Sequence, residues 1–356
     1  MPGFESLINQ ERPIRILNTL LRNRTLPHAF LFTGTEGVGK QAVAVALAMA
    51  CNCQDENAGR KAEDRSAHDP AGPAVKSDLS ALGSCGVCRS CRKIESGNHA
   101  DIIRIKPSGS FIKIAQIREL VHTLGMRPYE AKTRVVIIAA AQTLNAAASN
   151  ALLKILEEPP SRTILVLIAT HKSALLPTIV SRCQCIAFNP ISQKNMAMLL
   201  REKHELSPQA AAILAAMANG SYSRAETMVR SNWLKRRKWL IDEINSLSMK
   251  NVGSLLALAE TLSAEREALS DTLEVIKVWF RDLIIGRYDT GKIINQDVAD
   301  KIGAASENAS LSSLLSKVAA VQQTQNRITA NTNLRLSMEN LLIQLANPEK
   351  RFQNPI

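Results

Sequence analysis

Apolar positions along this chain follow two rhythms, and one gives way to the other near Pro190. Before that residue, short and nearly unbroken apolar runs recur at Ala29-Phe30-Leu31-Phe32-Thr33, Ile102-Ile103-Arg104-Ile105, Arg134 to Ala139 and Thr163 to Ala169. Runs of that length, rich in Ile, Leu, Val and Phe, predict strands buried on both faces. Between them Ile14 to Leu21, Ala42 to Ala50, Ile114 to Leu124 and Asn145 to Glu158 have helical character, and Pro159-Pro160 ends the last. Strands alternating with helices predict a parallel sheet covered on both sides. After Pro190 every strong segment is helical: Gln193 to Glu205, Pro208 to Ala218, Tyr222 to Arg230, then longer helices to Leu345. There Leu273, Ile276, Phe280, Leu283 and Ile284, and later Leu334, Leu336, Met338, Leu341, Leu342 and Leu345, form stripes expected to build a helical core. The pattern divides the chain at 1–189, 190–240 and 241–356. Residues 54–84 lack any apolar period and read as a mobile surface insertion in the first part.

Composition sharpens this picture. At 356 residues the chain exceeds what one core organises, and 46% hydrophobic but only 4% aromatic residues favour helices and parallel strands over a sandwich or barrel. The 44 Lys+Arg against 32 Asp+Glu give a net charge of +12, a field that attracts polyanions. The densest basic cluster, Lys235-Arg236-Arg237-Lys238, lies between Trp233 and Trp239. Such a cluster could track phosphates, but both indoles are expected to pack at a domain junction. No stretch reaches 18 apolar residues and no leader-like segment opens the chain, which predicts a cytoplasmic protein that does not engage a membrane.

Gly34-Thr35-Glu36-Gly37-Val38-Gly39-Lys40 separates the first strand from the helix after it, the order a phosphate-binding loop requires. Gly34, Gly37 and Gly39 let backbone N–H groups approach phosphate oxygens, and Lys40 suits the β and γ phosphates. The groups that would hold magnesium and activate water are missing. Gln41 stands where Ser or Thr is needed, and Ala139 and Ala140 stand where the strand should end in acids. An ATPase fold that does not hydrolyse ATP is the expectation, with ATP or ADP bound without turnover or the loop kept for the fold alone.

Seven cysteines cluster in a way that suits a metal rather than a disulfide framework. Cys85-x2-Cys88-x2-Cys91 places three thiolates in a short loop, and Cys51 or Cys53 supplies a fourth across the insertion. Four thiolates suit a closed, structural Zn²⁺ site. His99 and Asp101 are expected to orient the next strand rather than to serve as ligands or an acid–base pair. Cys183 and Cys185 flank Gln184 on a predicted strand, which points both to one buried face.

At Ala151-Leu152-Leu153-Lys154-Ile155-Leu156-Glu157-Glu158-Pro159-Pro160 and Ser181-Arg182-Cys183, read with His28 to Gly34 and the cysteines, the sequence resembles the AAA+ subunits of the bacterial DNA polymerase III clamp loader. The resemblance runs through roughly residues 1–190, with weaker likeness at Gly220 to Ala225 and Asn331 to Leu342. Within that family the missing acids resemble the delta prime type, whose nucleotide site is often degraded.

The resemblance implies an α/β P-loop AAA+ domain with a parallel sheet, a small helical lid domain and an all-α collar domain. It implies no ATPase of its own, within a nucleoid-associated DNA polymerase holoenzyme. Its partners would be the tau/gamma ATPase subunits, the delta subunit, the sliding clamp and primed DNA. Arg182 would be a finger reaching nucleotide on the neighbouring subunit. Thr170 and Arg224 would occupy the two sensor positions, and the likeness at Asn52-Cys53 selects Cys53 as the fourth zinc ligand. The competing readings are an ATP-hydrolysing motor subunit using Glu157 or Glu158, and a zinc-bearing nucleic-acid-binding protein outside replication.

Overall fold

In a computed structural model of the chain, the described residues are 9–55, 82–307, 309–330 and 332–347. Most of the insertion expected at 54–84, from residue 56 to residue 81, therefore lies outside the described residues. The chain forms two compact units, Met1–His204 with Ala218–Ala225, and Glu205–Met217 with Glu226–Ile356.

In the first unit, α1 (Glu11–Arg22), β1 (Ala29–Thr33) and α2 (Lys40–Asn52) are followed by α3 (Arg89–Ser96), β2 (Ile102–Ile105) and α4 (Ile114–Gly125). Next come β3 (Arg134–Ile138), α5 (Ala146–Glu157), β4 (Thr163–Ala169), the short α6 (Pro177–Val180), β5 (Gln184–Ala187) and α7 (Gln193–His204). The five strands run in the order β2-β3-β4-β1-β5 and every neighbouring pair is parallel.

Every residue of β1, β3 and β4 is buried, which is why their sequences show no polar alternation. Successive side chains enter opposite layers. Phe30, Phe32, Val135, Ile137, Val166 and Ile168 pack with α2, whereas Leu31, Val136, Ile138, Leu165 and Leu167 pack with α4 and α5. Truncating one of these, such as Leu167→Ala, costs about 2–5 kcal/mol because no water-filled surface adjoins the resulting cavity. Cys183 and Cys185 are partly buried against the second layer, as their spacing suggests. Local signals set the ends of α5. The Asn145 side chain accepts the Ala148 N–H at 2.8 Å, and Glu158 stops the helix before the two prolines.

The second unit contains α8 (Pro208–Met217), α10 (Trp233–Ser246), α11 (Val252–Ala264), α12 (Leu269–Ile285), α13 (Ala299–Glu307), α14 (Leu311–Thr329) and α15 (Leu334–Ala346). The preceding α9 (Tyr222–Arg230) divides between the units after Ala225. Leu273, Ile276, Phe280 and Leu283 are buried, as are Met338, Leu341, Leu342 and Leu345. Leu336 departs from its expected stripe and is 63% exposed.

Two buried charges of this unit, Asp282 and Arg237, sit in one network. Asp282 accepts the N–H groups of Ile294 and Asn295 at 3.1 and 2.8 Å, and Arg237 donates to Asn295 Oδ1 at 2.8 Å and to Asp297. That arrangement satisfies a carboxylate and a guanidinium that would otherwise be costly to bury.

Candidate functional site

The glycine loop leaves β1 at the carboxyl edge of the sheet, where ligands of open parallel sheets are held. It is fixed from three sides. The Gly34 N–H donates to the Thr170 carbonyl at 3.1 Å, and the Tyr222 N–H donates to the Gly37 carbonyl at 3.0 Å. From the third side the fully buried Gln10 donates to the carbonyls of Val38 at 3.4 Å and Asn189 at 2.7 Å. Nothing in the polar run around Gln10 announces this role in the sequence. Gly39, in the left-handed conformation, caps α2.

Lys40 is buried, and its Nζ donates to the loop carbonyls of Gly34 and Thr35, the latter at 2.6 Å. Burial pulls its ammonium down to about 8, against the opposing pull of Glu36. Backbone donors, a helix amino terminus and one buried cation make this a cradle for an anion.

The strand end that should complete a hydrolytic site has no carboxylate. The Ala139 N–H donates to Ile105 O at 2.9 Å, continuing the β2–β3 pairing, and Ala140 turns into the left-handed region at φ 51°. The Ala140 carbonyl accepts both the N–H and the hydroxyl of Thr143 at 2.8 Å. Gln41 is exposed one residue beyond Lys40. The structure thus brings Gly34, Gly37, Gly39, Lys40 and Thr170 together. From the start of α9 and the residue before it, the contacts on the loop come from Ser221, Tyr222 and Ser223, next to Arg224, whose backbone N–H donates to Ser221 Oγ at 3.3 Å.

Arg182 lies away from this cradle, just after α6. Its Nη1 donates to Thr178 O at 3.1 Å, and its Nη2 pairs with Glu157 Oε1 at 2.7 Å at the end of α5, with 37% of the arginine side chain exposed.

The four sulfur atoms of Cys53, Cys85, Cys88 and Cys91 all lie within 4.8 Å of one another. A tetrahedral Zn²⁺ with ~2.3 Å bonds needs sulfurs about 3.8 Å apart, so a small contraction completes the site. Backbone N–H groups already point at three of the sulfurs: Cys85 to Cys53 at 3.4 Å, Cys88 to Cys85 at 3.3 Å and Cys91 to Cys88 at 3.4 Å. Such bonds stabilise thiolate charge, and four thiolates leave no open position for substrate water. Cys51 is turned into the surroundings of α2, where burial pushes its thiol up to about 12.

A loop after α4 braces this cluster. Asp101 is 4% exposed, and its carboxylate accepts the N–H groups of Tyr129, Glu130 and Ala131 at 2.9, 2.8 and 2.8 Å. The next residues reach the first cysteine: Lys132 Nζ donates to Cys53 O at 3.0 Å, and Asn52 exchanges two hydrogen bonds with the Thr133 backbone. Glu130 pairs with Lys93 of α3 at 2.7 Å, and His99 Nδ1 accepts the Asp101 N–H at 3.3 Å. His99 and Asp101 therefore organise structure at the start of β2, as expected from the sequence. The bracing by Asn52, Lys132 and Asp101 has no sequence signal, because it joins residues 28 to 81 positions apart only after folding.

A family described as "DNA polymerase III, delta subunit" matches residues 9–69 and 74–192, and "DNA polymerase III, delta subunit, C terminal" matches residues 231–347. The chain is 30% identical over 342 residues to DNA polymerase III subunit delta′ of Bacillus subtilis (strain 168), covering 94% of this chain and 96% of that one. Its counterpart in Pseudomonas aeruginosa PAO1 is 30% identical over 337 residues, covering 90% and 92%. DNA polymerase III subunit tau of Escherichia coli K12 is 31% identical over 223 residues, covering 61% of this chain and 31% of that protein. A cradle without its acids, on a parallel P-loop sheet followed by helices, agrees with these matches along nearly the whole length: the chain belongs to the DNA polymerase III delta′ subunit family.

Proposed function

We propose that the chain is a non-hydrolysing stator of the DNA polymerase III clamp loader and donates Arg182 to nucleotide bound on an adjacent tau/gamma-type subunit. One observation carries the reading: a partly exposed arginine held at a helix end, in a chain whose own strand end offers alanine at 139 and 140. A trans-acting guanidinium stabilises charge that develops on the transferring phosphoryl group, and it needs no intact site in its own chain. The Glu157 pair aims Arg182 without sequestering it. An exposed ion pair contributes only about 0–1 kcal/mol, so a triphosphate can displace the carboxylate.

In this reading residues 1–189 form the AAA+ domain, 190–240 a lid with Arg224 in it, and 241–356 a collar. Zn²⁺ on Cys53, Cys85, Cys88 and Cys91 is structural. The chain works beside the delta subunit, on the sliding clamp and primed DNA, at the nucleoid in the cytoplasm. ATP or ADP rests on the loop without turnover.

The test is the clamp- and DNA-stimulated ATPase of motor subunits reconstituted with this chain, wild type against Arg182→Ala at matched assembly. Arginine fingers of GTPases contribute about 10³- to 10⁵-fold, and we expect at least about a tenfold loss. An unchanged rate would remove the finger. ATP turnover by the isolated chain at motor-subunit rates would overturn the non-hydrolysing role.

A further inference from the structure

The basic cluster at the start of α10 resolves into two kinds of residue. Arg236 pairs with Glu265, and Arg237, 2% exposed, is consumed by Asn295 and Asp297. Lys235 and Lys238 are exposed, and among the described residues neither ammonium has a partner. The indoles divide too. Trp233 is buried at 5% exposed, but Trp239, expected to pack as well, is 41% exposed.

At 3.6 residues per turn Lys235, Lys238 and Trp239 fall within an arc of about 100° on one helix face. The acid on that arc, Asp242, is already neutralised by Lys301 at 2.5 Å. The placement works against the helix itself. No acid occupies the first turn of α10, and Lys235 sits at the positive end of the helix dipole. A helix that opens on cations and leaves a large indole in water is locally inconsistent, and such inconsistencies gather at functional surfaces.

We propose that Lys235, Lys238 and Trp239 form a binding face for single-stranded nucleic acid, the lysines meeting phosphates and the indole stacking on a base. Charge complementarity with a chain of net charge +12 favours a polyanion. The aromatic favours unpaired bases over duplex, whose bases are already stacked. The assignment goes beyond the stator role, and its test uses the full chain alone, so either can fail without the other.

The probe is a 20-nucleotide oligo(dT), titrated while tryptophan fluorescence is followed at several salt concentrations. Trp279 is 1% exposed and Trp233 is nearly as buried, so quenching reports Trp239. Trp239→Ala should abolish the quench and weaken binding about 5- to 150-fold, the equivalent of one stacked base, and Trp239→Phe should restore most of the affinity. Lys235→Gln with Lys238→Gln should flatten the slope of log affinity against log salt by about 1.4. The proposal is overturned if wild type does not bind at 50 mM salt, if Trp239→Ala binds as well as wild type, or if duplex of equal length binds tighter. It is also overturned if only an acidic peptide quenches Trp239, since the face would then receive protein.

Discussion

Asp101→Asn offers a measure of how far the loop at 129–133 supports the cysteine cluster. The carboxylate uses both oxygens on backbone donors, one N–H on Oδ1 and two on Oδ2, with Arg134 Nη2 at 3.7 Å from Oδ1. An asparagine offers one acceptor and one donor. In its better orientation the amide oxygen keeps Glu130 and Ala131, and its NH₂ faces the Tyr129 N–H and the guanidinium. One hydrogen bond to a charged group, worth about 1.5–3 kcal/mol, is lost, and a buried donor is left facing another at about 1–3 kcal/mol. Together these give an expected cost of about 2.5–6 kcal/mol.

Burial alone would raise the Asp101 carboxyl, but the N–H groups of Glu130, Tyr129 and Ala131, then Arg134, hold it below the ordinary range. A depressed folded value contributes stability that is present above the unfolded pKa of about 3.9 and is lost as pH falls through the folded value. Wild type should therefore lose stability below about pH 4, and Asp101→Asn should lack that component. Urea unfolding followed by far-UV circular dichroism gives the global cost, and hydrogen exchange at the amides of 129–131 gives the local one. Because Lys132 and Thr133 hold Cys53 and Asn52, chelator-driven zinc release from the variant should also quicken, by about 10-fold or more. A cost under about 1 kcal/mol with unchanged acid dependence would refute the bracing role.

Three further outcomes follow from the same geometry. Lys40 has a folded value near 8 against an ordinary one of about 10.5, so the folded chain binds fewer protons between those values and wild-type stability rises with pH across that window. Lys40→Met should flatten that rise, read from urea midpoints measured across the window. Gly37→Ala should cost about 2–4 kcal/mol, because φ is +78° and the added methyl would lie 2.1 Å from Ser223 Oγ and 2.2 Å from Ser221 Oγ. Adding Ser221→Ala and Ser223→Ala should recover part of it. Cys53→Ser should lower the zinc content and destabilise the chain by several kcal/mol, whereas Cys51→Ser should keep one zinc per chain by mass spectrometry.

What the sequence made legible was whatever local physics writes locally. β1 and β4 fall where unbroken apolar runs placed them, because a strand buried on both faces has no other composition. The α5 boundaries follow from Asn145 and Pro159, each a one-residue signal. The helix α3 was missed, since among its eight residues, rich in Arg, Lys and Ser, the buried apolar positions are Cys91 and Ile94 alone, and it is held by the cysteines and by Arg104, which donates to Ile94 O at 2.6 Å. Gln10, Asn52 and Asp101 were illegible for another reason. Each is a polar residue satisfied by backbone far away in the chain, and only the finished fold defines its partners.

The loop motif itself was legible for a reason that differs from the one it suggests. A methyl at Gly34 would lie 2.4 Å from the Phe188 carbonyl, and one at Gly37 would strike two serine hydroxyls. The carbonyls of Gly34 and Thr35 satisfy Lys40, and Gly39 begins α2 with a positive φ. Every signature residue of the loop thus has a packing or hydrogen-bonding duty that holds with no nucleotide in the account. Magnesium-binding acids have no such duty: at 139 and 140 the strand end is half-buried and its pairing and turn use backbone alone. Loss of the acids leaves the fold intact, whereas loss of the glycines disturbs it. The motif therefore marks a structural joint between β1, β5 and α9, and turnover has to be judged from the strand end instead. That is why the proposed function rests on Arg182 and not on the loop.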